Sequence, residues 1–103
     1  MIGEVHVVTL RGEIDHDAQD VLRRALLGPD GMMPARIVAD LSAVTFMDSA
    51  GVNVFITAHL QTAQAAGWIR IAGALRAVRR VLQATGVETF ISRHLSAEEA
   101  LGA

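Results

Sequence analysis

Residues 40 to 52 read Asp-Leu-Ser-Ala-Val-Thr-Phe-Met-Asp-Ser-Ala-Gly-Val. This run constrains the fold more than any other stretch. A buried strand passes into a helix through one tight polar corner, Asp48-Ser49-Ala50-Gly51. A strand feeding straight into a helix belongs to a layered α/β arrangement. A serine at the start of that helix sits where backbone N–H groups lack partners and the helix dipole is positive. A phosphate added to Ser49 would meet those donors. The corner suits a serine that is modified and then read by a partner.

The rest of the chain extends the α/β pattern. Glu4 to Leu10 reads as a Val-rich strand, left through Arg11-Gly12-Glu13-Ile14-Asp15. Asp17 has the features of an N-cap, with Asp20 three residues on. Val21, Leu22, Ala25 and Leu26 then show helical spacing, which Gly28-Pro29 stops. Pro29 to Pro34 is a loop carrying Met32 and Met33. Ile37 to Leu41 reads as a buried central strand. From Ser49, the residues Gly51, Val54, Phe55, Ala58, Thr62 and Ala65 share one helix face, and Gly67 ends the helix. Trp68 to Ala72 is the next strand. Leu75, Val78, Val81 and Leu82 mark a third helix ended by Gly86. Glu88 to Ile91 reads as a last short strand, and Ser96 caps a terminal helix. The expected architecture is a single α/β domain over residues 1–103, with a mixed, mostly parallel sheet of four to five strands and about four helices.

Composition removes several function classes. The 103 residues suffice for one modest core. With 51% apolar residues, the chain is not a disordered tail. No apolar run approaches the roughly 18 residues of a membrane helix, and Met1-Ile2-Gly3-Glu4 lacks the basic start of a secretory signal. A cytoplasmic location is the expectation. Cysteine is absent, so there is no disulfide framework. His6, His16, His59 and His94 have no ligand spacing, so no metal is expected. The net charge of −2 offers no basic face for nucleic acid. All nine basic residues are arginine, with Arg76, Arg79 and Arg80 clustered on the third helix. That cluster reads first as a solvated face and second as a counterpart to an acidic patch.

Two motifs carry a family resemblance. One is Gly12-Glu13-Ile14-Asp15. The other is Asp40-x-Ser42-x-Val44-x-Phe46-Met47-Asp48-Ser49-x-Gly51. Together with the glycine spacing after them, they resemble the STAS domain, in its branch of bacterial anti-sigma factor antagonists, over nearly the whole chain. The resemblance implies a partner-switching cycle. The unphosphorylated protein binds an anti-sigma factor of the GHKL ATPase type and frees a sigma factor. The same ATPase is a kinase for the serine after the motif Asp, here Ser49, and a PP2C-type phosphatase reverses the mark. By the same resemblance, Asp48 is the serine's essential neighbour and Asp15 lies beside the corner at the end of a neighbouring strand. Asp15, Asp48, Ser49, Ala50, Gly51 and Asn53 are the partner-binding candidates. Two positions depart from the family pattern. Ala50 stands where many relatives carry Ser or Thr, leaving Ser49 as the hydroxyl of the corner. Asn53 replaces a common Gly and bears on partner choice.

Other readings stand beside this one. Ser49 alone would be an ordinary N-cap, and Asp48 a second cap or a turn residue. Val52, Ile56 and Leu60 form an apolar stripe that either packs on a neighbouring helix or offers a docking strip beside Ser49. STAS-like domains also serve in lipid-transport ABC complexes and as signalling scaffolds. A hydrolase elbow would want Gly-x-Ser-x-Gly, and Met47 occupies its first Gly position. The chain is therefore read as a binding module, not an enzyme, with no cofactor and as a monomer.

Overall fold

A computed structural model describes residues 5–27 and 36–103. The elements run β1 (His6–Ile14), a 3-10 turn (His16–Ala18), α1 (Gln19–Leu27), β2 (Arg36–Met47) and α2 (Ser49–Gln64). They continue with β3 (Trp68–Ala72), α3 (Arg76–Thr85), a second 3-10 turn (Val87–Thr89), β4 (Arg93–His94) and α4 (Ala97–Gly102). The helix stop at Gly28-Pro29, the loop from Pro29 to Pro34 and the first four residues lie outside the described residues.

The strands pair in the order β1-β2-β3-β4. Each pairing among the described residues is parallel, in keeping with the mostly parallel sheet expected from the sequence. Sequential parallel strands need crossovers of one hand, which place the crossover helices on one face of the sheet. The main core lies on that face. Ile37, Ala39, Leu41, Ile69 and Ile71 meet Leu22 and Leu26 of α1, Val54, Phe55 and Ala58 of α2, and Val78 and Leu82 of α3. Intervening strand residues point the other way, so Val38 and Ala72 pack with Ala100 of α4, flanked by Trp68 and Ala97. The Arg70 guanidinium stacks 3.6 Å from the Trp68 ring centroid and donates to the Ala100 carbonyl at 2.9 Å. That contact ties α4 to the sheet.

β2 is twelve residues long, far beyond the predicted Ile37–Leu41. Its second half pairs with β1 alone, through two register shifts, between Thr9 and Arg11 and between Gly12 and Glu13. At each shift β2 carries one more residue than β1, which is the signature of a bulge. Burial along Leu41–Met47 consequently recurs every third residue, at Leu41, Val44 and Met47. Asp40 serves the first bulge, its Oδ1 accepting from the Ser42 N–H at 3.0 Å. Gly12 adopts φ 82° at the second, a conformation that suits glycine.

Several local expectations are corrected. Asp15, not Asp17, caps the turn into α1: its Oδ1 accepts from the N–H groups of Asp17 and Ala18 at 3.1 and 3.2 Å. An Asp one residue past a strand end can reach donors two and three residues on, and Asp15 sits closer to the end of β1. Residues 87–89 form a 3-10 turn instead of a strand, and β4 follows at Arg93–His94. Glu88 is paired with Arg93 across that turn. α2 ends through Ala66 at φ 58°, and Gly67 donates back to the Thr62 carbonyl at 2.7 Å. Gly86 ends α3 in the left-handed region, as its position suggested. Ser96 caps α4, accepting from the Glu99 N–H at 3.1 Å.

Candidate functional site

The strand ends of β1 and β2 build the corner. Ile14 and Met47 are register partners, so the residues after them, Asp15 and Asp48, leave adjacent parallel strands at the same rim. Both aspartates cap the turn that follows. Asp48 is extended, at φ −110° and ψ −175°, and its Oδ1 accepts from Ala50 N–H at 2.9 Å and Gly51 N–H at 3.2 Å. The Asp48 N–H donates to the Ile14 carbonyl at 3.2 Å, which stitches the corner to β1.

This geometry revises the role of Ser49. The serine is not the cap. It is the first residue of α2, exposed to solvent. Two of the free helix donors that a phosphate on Ser49 would have met are already held by the Asp48 carboxylate. A phosphate there would be a new dianion beside an existing carboxylate, projecting from the surface, instead of a cap.

The small residues of the corner have distinct positions. Gly51 is buried, and a Cβ there would stand 2.8 Å from Ile14 Cγ2 and 3.0 Å from Met47 Cγ. Its smallness lets α2 approach the end of β1. Ala50 is half-buried. Asn53 is exposed one turn beyond Ser49 on the same side of the helix. Of the apolar stripe, Val52 is buried and Ile56 packs against the core. Only Leu60 is left open, at 57% exposure. Most of that stripe is therefore helix packing.

Sequence reasoning did not single out the exposure of Phe46. Strict alternation from Val44 would bury it. The bulge before Phe46 turns it outward, and it is 47% exposed two residues before Asp48. Phe46, Ser49 and Asn53 thus give the corner an apolar, a hydroxyl and an amide component. The signal that could have found Phe46 is the Gly-Glu pair opposite it in β1, since Gly12 marks the irregular register.

No group of three or more His, Cys, Asp or Glu side chains among the described residues could hold a metal ion. No helix among them is long and apolar enough to cross a membrane.

Comparison with known proteins places these features. A family model for the STAS domain matches residues 1–100. The anti-sigma factor antagonist SpoIIAA in its unphosphorylated form superposes with a TM-score of 0.76 at 26% identity, over 98% of this chain and 89% of that one. A Thermotoga maritima protein assigned as an anti-sigma factor antagonist superposes with a TM-score of 0.83 at 17% identity, over 99% of this chain and 87% of that one. A sulfate transporter family protein from Wolinella succinogenes gives a TM-score of 0.80 at 14% identity, over 99% and 84%. At their identities, the last two likenesses speak for the fold alone.

Proposed function

The chain belongs to the STAS domain family, and on that footing we propose that it is an anti-sigma factor antagonist. Its unphosphorylated form binds a GHKL-type anti-sigma factor kinase and releases a sigma factor. Phosphorylation of Ser49 by that kinase ends the interaction, and a PP2C-type phosphatase restores it. The domain itself is a binding module that performs no chemistry.

The observation that carries this reading is the exposed Ser49 at the first position of α2, beside an Asp48 carboxylate already engaged by the helix. The hydroxyl is accessible to a kinase, and no cap needs to be dismantled to reach it. Structures of SpoIIAA in unphosphorylated and phosphorylated forms, each 26% identical to this chain, support the assignment.

The switch works through the interface, not through refolding. A phosphoserine brings about −1.5 to −2 charges at neutral pH. An interface closed over a neutral hydroxyl would then bury an unpaired charge next to Asp48, a penalty of about several kcal/mol. A loss of only about 1.4 kcal/mol already weakens binding tenfold. The capped helix and the core beneath it need not change.

Phosphorylation with the cognate kinase and ATP, mapped by mass spectrometry, tests the proposal. One phosphate on Ser49, and none on the Ser49→Ala variant, is the expected outcome. Modification elsewhere with Ser49 untouched would remove the basis of the switch.

A further inference from the structure

β1 closes one end of the strand order, so among the described residues it pairs with β2 alone. An unpaired strand edge is a template for a further strand unless something blunts it. α1 leans over the same strand. The two leave a groove of about 170 Å³ between Leu10, Arg11, Glu13 and Ile14 of β1 and Val21 and Leu22 of α1.

The groove is mostly apolar. Val21 on its wall is 72% exposed, and Leu10 is half-buried. One exposed valine means little alone, since apolar atoms make up much of any protein surface. Here it borders an open strand edge that also carries two charges. Arg11 and Glu13 are exposed, and neither takes part in an ion pair among the described residues. Gly12 between them is exposed too, and a Cβ added there would meet no atom within 4 Å. The backbone at that point is open to close approach.

Charged residues on an edge strand commonly keep other strands away. Charges of one sign serve that use best. A positive and a negative residue on either side of a glycine match themselves instead. In an antiparallel meeting of two copies about a two-fold axis at Gly12, Arg11 of each copy stands opposite Glu13 of the other. Directly opposite residues have Cβ atoms about 5 Å apart, within reach of an ion pair. The same rotation brings the two grooves together and covers both Val21 side chains, an apolar burial that favours association. A two-fold contact of this kind uses the same patch on both copies and closes at two. We infer that this edge binds a second copy of the chain, as a two-fold dimer joined through β1 and α1 around Gly12. The contact rests on neither Ser49 nor the proposed switch.

Sedimentation velocity of the full chain over a concentration series tests the dimer, and charge reversal tests its site. Wild type is expected to pass from monomer to dimer as concentration rises. Arg11→Glu leaves only glutamates around the axis, and Glu13→Arg only arginines. Each alone should weaken association by about tenfold or more. An equimolar mixture of the two variants should recover the dimer, because every Glu then faces an Arg across the axis. That recovery also shows both variants to be folded. Arg11→Glu combined with Glu13→Arg in one chain should dimerise like wild type. Val21→Asp should weaken association. Leu95→Gln, at a residue 77% exposed beyond β4 at the opposite edge, should not. A monomer, the state expected from the sequence, at every concentration up to about 1 mM would overturn the inference. So would a dimer that both single reversals leave intact, or single variants that neither mixing nor the double exchange restores.

Discussion

Gly51 lies so close to Ile14 that a Cβ added to the glycine would stand 2.8 Å from Ile14 Cγ2. The helix bearing Ser49 is therefore seated directly on the end of β1, the strand that leads into Asp15. Ile14 and Met47, which would both be crowded, are themselves buried and have no free direction in which to swing. Gly51→Ala gains about 1 kcal/mol of helix propensity, against about 1–3 kcal/mol for overpacking a tight contact. The outcome is a net loss of up to about 2 kcal/mol, read as a lower urea midpoint with an unchanged slope.

Asp48 has two separable duties, the cap and the charge. Asp48→Ala removes the acceptor for Ala50 and Gly51 and should cost about 0.5–2 kcal/mol. Asp48→Asn keeps a capping oxygen and should leave stability within about 0.5 kcal/mol of the parent, since Asn and Asp cap comparably. Thermal unfolding of the two variants distinguishes cap from charge. Under the proposed switch, Asp48→Asn also softens the effect of Ser49→Asp on partner binding, because one of the two crowded charges is gone.

Phe46 provides a control on what the exposed rim does. It is half out of the core, so Phe46→Ser should lower stability by less than about 1 kcal/mol. If the corner is the partner surface, the same variant should bind the anti-sigma factor about tenfold or more weakly, as a truncated aromatic anchor does. Unfolding and binding isotherms on one preparation give both numbers.

Much of this was legible in the residues. Helix spacing, the Gly86 stop and the Ser96 cap are local signals, and local chemistry decides them. The Asp48-Ser49 corner was legible because a strand, a cap and a helix start coincide within a few residues. What escaped reading depended on partners distant in sequence. The length of β2 is set by pairing with β1, so the apolar run Ile37–Leu41 marks only its fully buried half. Phe46 faces outward because of a bulge, and a bulge is a property of two strands together. Ser49 and Asp48 compete for one capping role that composition alone assigns to either. The backbone settles it, since extended Asp48 is the residue whose oxygen reaches the N–H groups of Ala50 and Gly51.

Arg70 offers a test of the far side of the sheet. Its donation to the Ala100 carbonyl and its stacking on Trp68 hold α4 in place. Arg70→Met should cost about 1–3 kcal/mol. Hydrogen exchange should accelerate first in α4, with the amides of α2 retaining their protection. Uniform acceleration would mean that α4 and the main core unfold as one unit.

In the proposed switch, the charge state of Ser49 gates one protein partner. The most direct measurement is capture from native lysate with wild-type, Ser49→Ala and Ser49→Asp baits, with bound proteins identified by mass spectrometry. The expected result is a small GHKL-type ATPase on the wild-type and Ser49→Ala baits, and its loss from Ser49→Asp. Equal capture of one partner by all three would contradict the switch and leave Ser49 as an ordinary first residue of α2.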